Sequence, residues 1–135
     1  MTRSESRELS FAIGFERLIS KESVENIIEG AAEARAINVS AFARKLALGV
    51  EKNEEKIDAI LKNSLKGWQL SRISNVAHAI LQIALYEMLY EDSVPLRVSI
   101  NEAVELSKKY GDADDAKFVN GVLATVNREM ERTDG

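Results

Sequence analysis

The chain has 135 residues, no cysteine and a formal net charge of −4 at pH 7. This length suits a single domain, and the lack of thiols excludes a disulfide framework, a thiolate zinc site and a cysteine nucleophile. The acidic charge excludes a protein held on nucleic acid by bulk charge alone. The sequence has no signal peptide and no apolar run close to the about 20 residues that a membrane span needs, which predicts a cytoplasmic protein without membrane contact.

A scarcity of helix breakers predicts an all-α fold. The chain has one proline, and alanine, leucine, glutamate and lysine are abundant. The β-branched residues fall mostly at helical spacing, which favours helix over strand. We see no internal repeat and no long linker, so we expect one helical domain over residues 1–135.

The first predicted helix runs from about Ser4 to Ile19 and has a wide apolar face. Its other face carries arginines and small residues within an arc of about 80°. This arginine strip consists of Arg3, Arg7, Ser10, Gly14 and Arg17. Two interpretations stay open: an ordinary solvated face, or a row of fixed cations that an RNA backbone can approach closely because nothing bulky lies between them.

The middle of the chain predicts further helices. A second helix runs from about Ser23 to Ala36, with acidic residues in its first turn, where the helix dipole favours them. The segment from Asn38 to Lys66 reads as one or two helices. Gly49 is the candidate joint between the two, and Gly67 is the stop.

The most regular apolar pattern predicts a central helix. Apolar residues recur at helical spacing from Ile73 to Met88. We expect this helix to end near Asp92, because Pro95 disfavours helical geometry in the residue before it. A further helix then covers Val98 to Tyr110.

The last predicted helix runs from about Ala113 to Met130. Asp112 is a suitable N-cap, and Asp115 three residues later completes a variant of the capping box. We expect the polar tail from Glu131 to Gly135 to fray.

Phe118 lies at the margin of the buried stripe of this last helix. The stripe consists of Val119, Val122, Leu123, Val126 and Met130. Asp114, Lys117 and Gly121 lie on the outward side of Phe118. Phe118 is therefore either a boundary residue that covers the core or a stacking platform for an unpaired RNA base.

Catalytic and metal chemistry have few candidates. His78 is the only histidine, has no second ligand nearby in sequence and reads as structural. Glu102 and Glu105 lack the histidine partner of a di-metal bundle site, and the acidic run before the last helix serves capping. We expect no enzyme activity, no metal and no cofactor.

Several motifs follow one another along the second half of the chain. They are Trp68, Ile80-Leu81-Gln82-Ile83-Ala84-Leu85-Tyr86-Glu87, Val94-Pro95, Ile100-Asn101-Glu102-Ala103-Val104-Glu105-Leu106 and Lys117-Phe118-Val119-Asn120-Gly121-Val122-Leu123. In this order they resemble the NusB family of transcription antitermination factors. The first helix, with Arg7-Glu8 and Phe15, resembles that family more weakly.

The resemblance implies a compact bundle of about seven helices in two sub-bundles, over about residues 1–66 and 67–132. It implies binding to boxA-type RNA together with the ribosomal protein NusE. It further implies that the pair joins the RNA polymerase elongation complex and promotes processive transcription, notably of ribosomal RNA operons.

The resemblance and the arginine strip together predict the RNA-binding residues. Those expected to bind RNA are Arg3, Arg7, Phe15, Arg17, Asp114, Lys117 and Phe118. Ser4 and Glu5 stand in a run that is richer in arginine in the family, and Gln82 stands where an arginine is common. We therefore expect RNA binding that is weak and depends on the partner.

Two other functions compete with this one. The first is a helical protein–protein adaptor of the transcription complex that does not bind RNA. The second follows from the NusB-like domain that precedes the catalytic domain of certain ribosomal RNA cytosine methyltransferases, but this chain has no nucleotide-binding region and no cysteine for that chemistry. A homodimer also stays open, because the wide apolar face of the first helix needs a cover.

Overall fold

Seven α-helices and one 3-10 turn make up the part of the chain that this computed structural model describes, residues 1–35 and 38–134. The helices are α1 (Arg3–Ser20), α2 (Val24–Arg35), α3 (Ala41–Lys52), α4 (Glu54–Ser64), α5 (Asn75–Tyr90), α6 (Leu96–Tyr110) and α7 (Ala113–Asp134), and the 3-10 turn is Leu70–Arg72. The predicted all-α fold of about seven helices is confirmed. Its division into two sub-bundles near residue 66 stays a prediction.

The segment predicted as one or two helices is two, and their joint lies at Asn53 rather than at Gly49. The backbone and side-chain amides of Asn53 donate to the Gly49 carbonyl at 3.0 and 2.8 Å, and the Asn53 carbonyl accepts from the Ile57 amide at 2.9 Å. Asn53 therefore ends α3 and begins α4. Gly49 lies inside α3 because the Tyr86 ring fills the space beside it, where a Cβ would fall 2.2 Å from the ring.

The helix ends on either side of the only proline also differ from the prediction. α5 ends at Tyr90, two residues before the expected Asp92. α6 begins at Leu96, directly after Pro95, and not at Val98. Proline is well tolerated at the beginning of a helix, since its missing N–H would have no helical partner there.

The last helix continues to Asp134, beyond the predicted end at Met130. The backbone of the tail that was expected to fray is thus helical as far as Asp134. The predicted end of the second helix at Ala36 and the last tail residue, Gly135, lie outside the described residues.

Helix α5 lies at the centre of the bundle. It is buried from Ala79 to Met88 on all its faces, because α1, α3, α4, α6 and α7 surround it. A smaller apolar cluster joins α1, α2 and α3. None of the described helices is long and apolar enough to cross a membrane.

Contacts between the helices fix their directions. Arg7 near the beginning of α1 binds Glu87 near the end of α5, so these two helices run antiparallel. Ser4 of α1 binds Glu102 of α6, and α1 contacts the end of α6 through Lys109, so α1 and α6 run parallel. The beginning of α7 therefore lies at the same end of the bundle as the beginning of α5.

Candidate nucleic-acid interface

Phe118 lies half-buried in the first half of α7, at the boundary between core and solvent. The stripe beside it is buried from Val119 to Val126 and half-buried at Met130, with Val119 and Leu123 fully inaccessible. Lys117 and Gly121 are exposed, and the space where Gly121 would carry a Cβ is open. One side of the Phe118 surroundings is thus free of bulky groups.

A capping box fixes the beginning of α7, as the sequence predicts. The Asp115 amide donates to the Asp112 carboxylate at 2.8 Å, and the Asp112 amide donates to the Asp115 carboxylate at 3.1 Å. Asp114 between them is exposed. Its carboxylate has no hydrogen-bond partner among the described residues, so Asp114 and Lys117 are the charged groups on this turn that a ligand can reach.

Trp68 packs against Phe118 at one side of a groove. The two rings meet edge to face, with 5.6 Å between their centroids and an angle of 67°. The groove has a volume of about 420 Å³. Its walls are Trp68, Arg72, Ile73, Ser74, Ala77, Asp114, Asp115 and Phe118.

The expectation that the arginine strip is accessible is wrong at Arg7. Only 6% of Arg7 is exposed, and its guanidinium donates two hydrogen bonds of 2.8 Å to the buried carboxylate of Glu87. Ser99 donates a third hydrogen bond to that carboxylate at 2.9 Å. The hydrogen bonds with Glu87 raise the pKa of Arg7. The guanidinium therefore stays charged, and the Glu87 carboxylate balances its charge inside the protein.

Arg17, Ser10 and Gly14 of the strip are also turned inward. Arg17 donates to the Glu54 carboxylate at 2.6 Å, which holds the pKa of that carboxyl below its usual range. Ser10 is fully buried, and a Cβ at Gly14 would lie 3.9 Å from Ile83 of α5. The small residues of the strip therefore admit neighbouring helices and not an RNA backbone.

Arg3 is the one arginine of the strip that is exposed. Its guanidinium lies over the Phe42 ring of α3, 3.9 Å from the centroid, and its hydrogen-bond donors have no carboxylate partner among the described residues. Phe15 is half-buried and contacts Phe11, with 6.0 Å between ring centroids. Arg3 is thus available to a ligand, whereas Phe15 contributes mainly to the core.

The structure brings Asp114, Lys117 and Phe118 together but does not bring them to Arg3. The Phe118 groove reaches Ala77 at the beginning of α5, while the neighbour of Arg3 on α1, Arg7, contacts Glu87 near the end of α5. Ten residues of helix correspond to about 15 Å. A single ligand must be several nucleotides long to touch both places.

Sequence reasoning missed three exposed aromatic residues. Trp68 is 62% exposed, Tyr110 is 43% exposed and Tyr90 is 38% exposed. Tyr110 contacts the Phe11 ring and donates a short hydrogen bond to Glu8, whose pKa the Lys109 ammonium and the Tyr110 hydroxyl both lower. Trp68 directly follows a helix stop, and a large aromatic residue in a loop was the signal that could have identified it.

His78 has the structural role that the sequence suggests. Its Nε2 lies 2.9 Å from the Asp58 carboxylate, at the contact between α4 and α5. Within the described ranges, no group of three or more histidine, aspartate or glutamate side chains could hold a metal ion.

Comparison with known proteins identifies the family. The family model described as the NusB family matches residues 4–128. The transcription antitermination protein NusB of Geobacillus kaustophilus is 40% identical over 98% of this chain and 100% of its own length. The protein of the same name from Acetivibrio thermocellus is 41% identical, over 93% of this chain and 88% of its own length.

Solved structures agree with this result. NusB of T. maritima superposes with a TM-score of 0.86 at 32% identity and covers 96% of this chain and 92% of its own. A crystal structure of antitermination factors NusB and NusE in complex with double-stranded RNA contains a chain with a TM-score of 0.83 at 25% identity, covering 96% of this chain and 99% of its own. The family model, the sequence relatives and the folds point to one assignment: this chain belongs to the NusB family.

Proposed function

We propose that this chain is a transcription antitermination factor that binds RNA. The observation that carries the proposal is the half-buried Phe118, bordered by exposed Lys117 and by the open space at Gly121. Aromatic stacking is a common way to hold an unpaired RNA base, at about 1–3 kcal/mol per base. The related NusB chain that was crystallised together with NusE and double-stranded RNA supports the same assignment.

The partners follow from the family. The chain binds boxA-type RNA together with the ribosomal protein NusE. The pair acts on the RNA polymerase elongation complex and promotes processive transcription, notably of ribosomal RNA operons. The acidic net charge of −4 favours dependence on the partner, because the chain as a whole repels the phosphate backbone.

The predicted RNA-binding residues divide into two groups. Phe118 stacks on a base, Lys117 and Arg3 contact phosphates, and Asp114 accepts hydrogen bonds from base amino groups or ribose hydroxyls. Arg7, Phe15 and Arg17 act indirectly: they hold α1 in place through the core and through ion pairs with Glu87 and Glu54.

A titration of labelled boxA-type RNA, followed by fluorescence anisotropy with and without NusE, tests the proposal. We expect Phe118→Ala to weaken RNA binding about 5- to 100-fold, since it removes one stacked base. Tyr90→Ala is the control, because Tyr90 is an exposed aromatic residue at the other end of α5. If Phe118→Ala binds RNA as tightly as the unmodified protein, the proposed surface is wrong.

A second function, a helical adaptor that binds NusE but not RNA, is favoured by one observation. Two arginines of the predicted strip, Arg7 and Arg17, are already paired with carboxylates. The same titration separates the two functions. The adaptor predicts a complex with NusE whose stability does not change when RNA is added at low salt.

The oligomeric state is a separate question. Ile19 near the end of α1 is 57% exposed, so part of the apolar face of α1 is uncovered. A homodimer that covers Ile19 would give a molecular mass that rises with concentration. Light scattering at two protein concentrations, on the unmodified chain and on Ile19→Glu, tests for it.

A further inference from the structure

Trp68 is the only tryptophan of the chain, and more than half of its surface faces solvent. Its position is fixed by the backbone. Gly67 has a left-handed φ of 88°, and the Trp68 amide donates to the carbonyl of buried Leu65 at 3.0 Å. These contacts fix the backbone at Trp68, and its ring packs against the Phe118 ring. An aromatic side chain has few rotatable bonds, so it loses little conformational freedom when it binds a ligand.

The groove beside Trp68 and Phe118 has the walls of a base-binding site. The two rings meet edge to face, so each can offer part of one flat face to the groove. Ile73 and Ala77 line it with apolar groups. Its volume of about 420 Å³ lies in the range of small-molecule sites, about 300–1,000 Å³.

The charges around the groove favour a neutral base over a phosphate inside it. Asp114 and Asp115 place carboxylates on the wall, which repel an anion but accept hydrogen bonds from the amino groups of a base. Arg72 belongs to the 3-10 turn that directly follows Trp68 and Gln69, and it is exposed. Its guanidinium has no ion pair within the described residues, so it is free to bind the phosphate next to a seated base.

We propose that Trp68 and Phe118 are two walls of one site for an unpaired RNA nucleobase, and that Arg72 binds the adjacent phosphate. This inference rests on the proposed RNA-binding function and adds the groove, Trp68 and Arg72 to it. Phe118 alone offers a base only part of its ring, since its inner side packs against the core. Trp68 supplies the second aromatic surface from a different part of the chain.

Because Trp68 is the sole tryptophan, its fluorescence reports on this site directly. The experiment titrates the full chain with single-stranded boxA-type RNA and follows tryptophan emission and RNA anisotropy in parallel. We expect the emission to be quenched with the same midpoint as the anisotropy. We expect Trp68→Ala to weaken binding about 5- to 30-fold and Trp68→Phe, which keeps a ring, to weaken it less than about 3-fold.

The matched control places the only tryptophan away from the groove. In Trp68→Phe/Tyr90→Trp, the only tryptophan lies at the other end of α5, and RNA that still binds should leave its emission unchanged. Arg72→Gln should weaken binding and make the dependence of log affinity on log salt shallower by about 0.7, which corresponds to one phosphate contact with a single strand. Circular dichroism of each variant checks that the helices remain folded.

The outcomes separate the inference from the function on which it rests. Anisotropy that reports RNA binding while Trp68 emission and the affinity of Trp68→Ala are unchanged would overturn the inference and leave the RNA-binding function intact. No anisotropy change at low salt, even with NusE, would overturn both. Quenching by NusE without RNA, together with loss of NusE binding in Trp68→Ala, would make the groove a protein-binding site and overturn the inference.

Discussion

The sequence places Arg7 on a strip that RNA could approach, whereas the structure buries its side chain. Helical spacing places Arg7 correctly on a strip with Ser10 and Gly14. Spacing alone does not say that Glu87, 80 residues further along the chain, lies 2.8 Å from its guanidinium. The position of Phe118 at the margin of the buried stripe was predicted correctly, because that stripe belongs to its own helix. A residue whose partner is local in sequence is predictable, whereas one whose partner lies on another helix is not.

The Arg7–Glu87 pair leads to a prediction about stability. We expect Arg7→Ala to lower the free energy of unfolding by about 3–5 kcal/mol, because it leaves a buried carboxylate without its cation. Urea denaturation followed by circular dichroism measures this change. Adding Glu87→Gln to Arg7→Ala should recover part of the loss, since it removes the buried charge.

Arg3→Ala is the control for that measurement. It removes an exposed cation–π contact with Phe42, which is worth about 0.5–1 kcal/mol. A cost for Arg7→Ala as small as that of Arg3→Ala would mean that the buried pair contributes little to stability. It would also mean that any effect of Arg7→Ala on RNA binding comes from a direct contact.

At the scale of helices, periodicity predicted the existence of each element better than its ends. Apolar spacing indicates six or seven helices, with the segment of α3 and α4 left as one or two, and the capping box of Asp112 and Asp115 fixes the beginning of α7 as expected. The joint between α3 and α4 was placed wrongly because Gly49 reads as a helix breaker. A glycine stands at position 49 because the Tyr86 ring of α5 leaves no space for a side chain there. The sequence does not reveal that contact.

Gly49 gives a prediction about the packing of α3 on α5. We expect Gly49→Ala to destabilise the protein by about 1–3 kcal/mol, because the new Cβ would overlap the buried Tyr86 ring. Gly30 inside α2 is the matched control, since a Cβ there would meet nothing within 4 Å. Gly30→Ala should stabilise the protein by about 0.5–1 kcal/mol.

Thermal unfolding of both glycine variants measures the two effects. The same substitution in two helices should therefore shift the melting temperature in opposite directions. Equal stabilisation by both would show that the Tyr86 ring moves aside at no cost, and that Gly49 has no packing role.

The contact between α1 and α4 gives a prediction about pH. The hydrogen bond from Arg17 lowers the pKa of Glu54 in the folded state, while an unfolded chain keeps it near about 4.3. The unfolded state therefore binds the proton more tightly. The stabilisation by this pair is present above the unfolded pKa and is lost as the pH falls from there through the lowered folded pKa.

Denaturation at a series of pH values tests this linkage. We expect Glu54→Gln to lower the free energy of unfolding by no more than about 1 kcal/mol at neutral pH and to flatten its decline on the acid side. Glu55→Gln, at the exposed neighbouring position, is the control and should keep the decline. Curves for Glu54→Gln and the unmodified chain that stay parallel down to acid pH would contradict the assignment.

At the scale of the whole molecule, ion pairs occupy some of the 18 lysines and arginines. Arg7, Arg17, Lys45 and Lys109 each form an ion pair with a carboxylate. Few unpaired cations lie at the proposed RNA surface. We therefore expect stacking and the partner to supply most of the affinity for RNA, with a small electrostatic share.

This balance predicts a weak dependence of RNA binding on salt. Arg3, Arg72 and Lys117 are the cations placed at the proposed surface, and three phosphate contacts with a single strand give a slope of log affinity against log salt of about −2. Anisotropy titrations of boxA-type RNA without NusE, from about 50 to 200 mM KCl, measure this slope. We expect Lys117→Gln to make it shallower by about 0.7 and Lys56→Gln, which lies beside Tyr90 at the other end of α5, to leave it unchanged. A slope steeper than about −4 would mean that more cations reach the RNA than the three at the proposed surface, and would contradict that surface.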